Sequence, residues 1–124
     1  MILQRLARIA FTLGLLLIVY LSLIPTEELP SLGLWDKLEH ALAYGLVAVT
    51  GGIGWAGRGR AWTLLAAGLV ALGILLELLQ SFVPGRFTDP GDALSNLIGT
   101  LLGLGMVAAV GRVGGRVGRL GKGW

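Results

Sequence analysis

The sequence predicts an all-α polytopic membrane protein with four transmembrane helices and both termini in the cytoplasm, and three observations carry that expectation. Of the 124 residues, 55% are hydrophobic and 14% charged, with a mean hydropathy of +0.81, far from the composition of a soluble domain. The apolar residues gather into four runs, each close to the roughly 20 residues that a span requires. Lys and Arg, finally, collect on alternate connections, as the positive-inside rule demands.

The first run, about 6–24, follows Arg5 and Arg8. It has the charged start of a secretory signal but no small-x-small cleavage site, so it reads as an uncleaved helix. Pro25 and Pro30, flanking Glu27 and Glu28, end it. The second run covers about 36–55, and Gly57-Arg58-Gly59-Arg60 forms a basic turn. The third covers about 61–83 and stops at Pro84-Gly85; the fourth begins at Pro90, which suits a first helical position, and ends near Val110. Domain organisation follows: a four-helix membrane domain over 1–111, without room for a separate soluble domain, and a basic Gly/Arg-rich cytoplasmic tail over 112–124.

Arg5, Arg8, Arg58, Arg60, Arg112, Arg116, Arg119 and Lys122 would then be cytoplasmic, against Lys37 and Arg86 on the other face. The net charge of +3 is topology rather than a nucleic-acid footprint, because nothing here stacks on or reads bases. The tail is suited to attract anionic inner-leaflet lipids. The absence of cysteine excludes disulfides and thiolate metal sites, and the single histidine excludes a histidine-rich centre within one chain. No metal and no cofactor are assigned.

Nearly all the chemistry-bearing residues fall on the outward side. Asp36, His40 and Tyr44 follow i, i+4, i+8 spacing on one helical face, with Lys37 adjoining; Glu77 and Gln80 are an i, i+3 pair. At 1.5 Å per residue, His40 lies roughly 6 Å and Tyr44 roughly 12 Å below Asp36, Glu77 about 10 Å inside Pro84, and Asn96 about 9 Å inside Pro90. Similar depth on three helices predicts one shared polar pocket. Ionisable groups are costly in lipid and are kept mainly where they pair or work. Plainer roles stand beside this one: Asp89 and Asp92 as caps around Pro90, Lys37 and Trp35 as interfacial anchors, Tyr44 as a packing residue. Glu77, His40 and Asn96 can equally form a purely structural network. Ser95, Gly99 and Gly103, with Asn96 and Thr100, recur every four residues and offer a flat seam to a neighbouring helix.

Taken in order, Ser22-Leu23-Ile24-Pro25, Asp36-Lys37-x-x-His40-x-x-x-Tyr44, Glu77-x-x-Gln80-x-x-x-Pro84-x-Arg86, Asp92-x-x-x-Asn96 and Gly99 resemble the VanZ-like family of small bacterial membrane proteins. The likeness spans about Ser22 to Gly103 and leaves out the tail. It implies a four-helix protein of the bacterial cytoplasmic (inner) membrane, in a family whose name-giving member is associated with resistance to the glycopeptide teicoplanin. It also implies a site formed by Asp36, Lys37, His40, Tyr44, Glu77, Gln80, Arg86, Asp92 and Asn96.

Three functions compete. The first is an outward pocket binding an envelope lipid or a lipid-linked cell-wall precursor, with Arg86 and Lys37 on phosphate and Asn96, Gln80 and Tyr44 orienting the rest. The second is a membrane enzyme on a lipid-linked phosphate substrate, with Glu77 or His40 as general base and oxygen-rich metal assistance from Asp36, His40, Glu77 or Asp92 as a conceivable variant. Whether the chain is an enzyme stays open, since no phosphatase, rhomboid-type or P-loop signature is present. The third is a structural or partner-binding membrane subunit, whose polar network holds the four helices together and whose glycine seam docks another protein; four short spans are too few for a roomy transport path, so a channel or carrier would require oligomers.

Overall fold

In the computed structural model, residues 2–25, 36–56, 59–86 and 88–121 are described, side chains only through Arg112; the prediction for Trp35 and the connection around Pro30 lies outside them. Four helices run in order: α1 (Ile2–Leu23), α2 (Asp36–Gly54), α3 (Gly59–Gln80) and α4 (Pro90–Gly121). Three of them, α1, α3 and α4 as far as Arg112, are long and apolar enough to cross a membrane. The 19-residue α2 carries Asp36, Lys37 and Glu39 in its first turn, which shortens its apolar length. The chain is a multi-helix, all-α membrane protein.

The boundaries differ from the sequence expectation by three residues or more at three ends, and by one or two at the ends of α1 and α2 and the start of α3. α1 starts four residues earlier, because Ile2, Leu3, Gln4 and Arg5 contain no helix breaker and Leu, Gln and Arg are good helix formers. α3 ends at Gln80, not Val83. There, Ser81, Phe82 and Val83 donate their N–H groups three residues back, to Leu78, Leu79 and Gln80, a tighter turn than the α-helix. Pro84 disfavours α geometry at the residue before it, and Gly85 then reverses the chain at φ 77°. α4 passes Val110 and continues to Gly121, so the first part of the expected tail is helical. Glycine weakens a helix by about 1 kcal/mol per residue but keeps its N–H, and no proline interrupts this segment.

The tightest packing joins α2 to α4. A Cβ on Gly99 would collide with the carbonyl of Ala41, and one on Gly103 with the carbonyl of Gly45. The small-residue seam read in the sequence is therefore the place where two backbones touch. Close approach of this kind is how helices associate where lipid removes the hydrophobic drive between them. Tyr44, Val47 and Ala48 of α2 join Ile18, Leu69, Leu76 and Leu104 in the buried core. Most large apolar side chains on α1, α3 and α4 point outward instead, among them Leu13, Leu16, Leu64, Leu78 and Met106. That inside-out pattern is the surface a bilayer requires.

Candidate functional site

Four helix termini meet at one end of the bundle: the C-termini of α1 and α3 and the N-termini of α2 and α4. The sequence explains how they are tied. Asp89 accepts the Gly91 N–H on Oδ1 at 2.8 Å, which makes it the N-cap of α4, with Pro90 in the first helical position. Asp92 does not complete that cap. The Asp89 N–H is taken by Oε1 of Glu77, reaching across from α3. Asp92 turns to α2, where Lys37 donates to Asp92 Oδ1 at 3.2 Å and to Asp89 Oδ2 at 2.5 Å. The Lys37 ammonium holds the Asp89 carboxyl below its ordinary range, helped by the Gly91 N–H.

Arg86, in the turn after α3, performs the corresponding task for α1. Its Nη2 donates to the carbonyls of Leu21 at 2.6 Å and Ile24 at 3.2 Å, and its Nε to Ile24 at 3.3 Å. The Leu21 oxygen belongs to the last turn of α1, where carbonyls lose their helical partners, and the Ile24 oxygen lies just past it. At the opposite end Arg8 repeats the device on α2, donating to the Gly54 carbonyl at 2.7 Å while its guanidinium lies 5.1 Å from the Trp55 ring. The two cations expected to meet phosphate are thus already engaged: Arg86 with backbone carbonyls, Lys37 with two carboxylates.

The nine predicted residues fall into two adjoining groups. Asp36, His40, Tyr44, Gln80 and Arg86 line a cavity of about 260 Å³ whose other wall is Ile18, Leu21 and Ser22 of α1. Lys37, Glu77, Asp92 and Asn96 lie outside that lining, on the α4 side of α2. His40 belongs to both groups. Its Nε2 stands 3.7 Å from Asp36 Oδ2 and 3.8 Å from Asp92 Oδ2, while its own helix places it in the cavity wall. Deeper by one turn, the Asn96 amide nitrogen and the Tyr44 hydroxyl both lie against Gly73, 3.1 Å and 3.5 Å from where a Cβ on that residue would stand. Glu77 and Asn96 are 6% and 4% exposed, and Asn96 Oδ1 has no hydrogen-bond partner among the described residues.

Sequence reasoning missed Glu39, which lines the cavity three residues after Asp36. Its i, i+3 spacing was the available signal. It also missed the α1 wall, because an apolar contribution to a polar cavity leaves no motif. A larger cavity of about 410 Å³ lies between α1 and α3, lined by Phe11, Leu15, Trp55 and leucines. Its apolar lining offers hydrocarbon contact and no chemistry.

The cavity walls carry Asp36, Glu39 and Arg86 as fixed charges and His40 as a titratable one, a balance that leans negative. Such a lining can orient a polar group through Gln80, Tyr44 and His40 while apolar α1 accepts hydrocarbon. No protein-family model, curated protein or solved structure matches the chain.

Proposed function

We propose that this chain is a VanZ-like protein of the bacterial cytoplasmic membrane, with four spans and both termini inside, whose outward cavity binds the headgroup of an envelope lipid or a lipid-linked cell-wall precursor. The observation that carries the reading is the two-sided cavity: Ile18 and Leu21 form an apolar wall, and His40, Tyr44 and Gln80 face it from α2 and α3. That is the division an amphiphile has. Of the two candidate general bases, Glu77 lies outside the lining with its Oε1 accepting the Asp89 N–H, and His40 stands in the cavity wall with no second catalytic group hydrogen-bonded to it among the described residues, so binding is favoured over turnover. Protection against a glycopeptide would follow where the bound headgroup is the antibiotic's target.

Purified full-length chain in phosphatidylcholine nanodiscs is expected to bind a polyprenyl pyrophosphate saturably in the presence of MgCl₂, which neutralises the pyrophosphate before it meets a lining that leans negative. Replacing His40 or Gln80 with alanine should weaken that binding about tenfold, the cost of one lost hydrogen bond to a charged group. Equal affinity in both variants and the parent would refute the assignment. Orientation is checked separately, since the chain has no cysteine of its own. A cysteine at Thr88 should react with an impermeant maleimide on intact cells and one at Gly59 should not; the reverse pattern would invert the topology.

A further inference from the structure

We infer that Asp36, His40 and Asp92 form a binding site for a divalent first-row transition cation at the mouth of the cavity. One donor atom from each of the three lies within 4.8 Å of the others. The His40 Nε2 distances of 3.7 Å and 3.8 Å to the two carboxylates are too long for hydrogen bonds. They suit ligands of a shared ion, because donors about 2.1 Å from a tetrahedral metal stand roughly 3.4 Å apart, a spacing small side-chain rotations reach.

Both helices build the site. Asp36 and His40 share a face of α2 by their i, i+4 spacing, and the backbone contacts at Gly99 and Gly103 bring α4, with Asp92, to the distance of a single ion. Lys37 fixes the second carboxylate from outside, holding Asp92 Oδ1 while Oδ2 faces His40. Partners of this second kind orient metal ligands and tune them. The fixed charges of Asp36, Asp89, Asp92 and Lys37 sum to two negative, which calls for a cation. The Asp36 side chain is 68% exposed and Asp92 is 9% exposed, so the site is seated at its inner side and open to solvent at its outer side. Two carboxylates and one imidazole leave positions for further ligands, and the mixed oxygen and nitrogen donors select Mn²⁺ or Zn²⁺ over Ca²⁺ or Mg²⁺. The site stands on its own geometry, apart from the headgroup reading, although a bound ion would supply the positive charge that the cavity lining lacks.

The test uses metal alone. Tag-free full-length chain in phosphatidylcholine nanodiscs is titrated with ZnCl₂ by calorimetry and with MnCl₂ by loss of the free-ion electron paramagnetic resonance signal. One ion per chain is expected, with affinity reduced at least about 100-fold by His40→Asn and at least about tenfold by Asp36→Asn, because losing a direct ligand costs no less than the roughly 10–100-fold of losing an outer partner. Asp36→Asn alters an exposed side chain, so it remains decisive if His40→Asn fails to fold. No saturable binding by the parent chain, or Asp36→Asn at parental affinity, overturns the site. Lipid binding by the same samples is unaffected by that failure and is judged on its own.

Discussion

Gly99→Ala is expected to destabilise the folded chain by about 3 kcal/mol, the upper end of the cost of overpacking, whereas Gly105→Ala on the same helix should be neutral or slightly stabilising. The chemistry of the two substitutions is identical. What differs is the neighbour: a Cβ at Gly99 meets the carbonyl oxygen, carbonyl carbon and Cα of Ala41, all backbone, while one at Gly105 meets nothing within 4 Å. A flexible side chain could swing away, but a helix backbone can yield only by moving α2 and α4 apart. That displacement would also separate Asp92 from Lys37 and His40, because those contacts span the same seam. Loss of the α2–α4 arrangement should therefore appear twice, as a lower unfolding midpoint in detergent and as loss of a disulfide cross-link engineered across the two helices. Equal stability of the two variants would show that the close approach does not hold the bundle.

The features readable in the sequence were those set by local spacing. Asp36 and His40, Asp92 and Asn96, and Gly99 and Gly103 are each one helical turn apart, so their shared faces follow from 3.6-residue periodicity alone. What the sequence could not show was which face meets which helix. Lys37 reads as a snorkelling anchor or a phosphate ligand, and its ion pairs appear only once α4 places Asp89 and Asp92 beside it. Glu77 looks like a general base because a buried carboxylate suggests chemistry. Its contact with the Asp89 N–H exists only through a reversal of the chain at Gly85. The α4 extension beyond Val110 was missed for a different reason, since glycine frequency argues against helix locally but does not remove a backbone donor.

Arg86 separates an anchoring role from a ligand-binding one most clearly. Its guanidinium donates to two carbonyls at the C-terminal end of α1, from a turn 62 to 65 residues further along the chain. Hydrogen bonds from a charged donor contribute about 1.5–3 kcal/mol each, and bonds sharing one fork are not additive, so Arg86→Ala should cost about 3 kcal/mol. Arg86→Lys should recover little of it. An ammonium keeps the charge but lacks the planar fork that reaches Leu21 and Ile24 together. Spin labels at Leu23 and Ser81, both exposed, report the distance between the ends of α1 and α3. The parent chain should give one narrow distribution, and both variants a broad one, with headgroup binding falling in step because the apolar wall of the cavity moves with α1. If binding is lost while the distribution stays narrow, Arg86 contacts the ligand and the α1 carbonyls are incidental. If the distribution broadens while binding persists, the α1 wall plays no part in recognition, and the two-sided cavity ceases to explain why an amphiphile would bind.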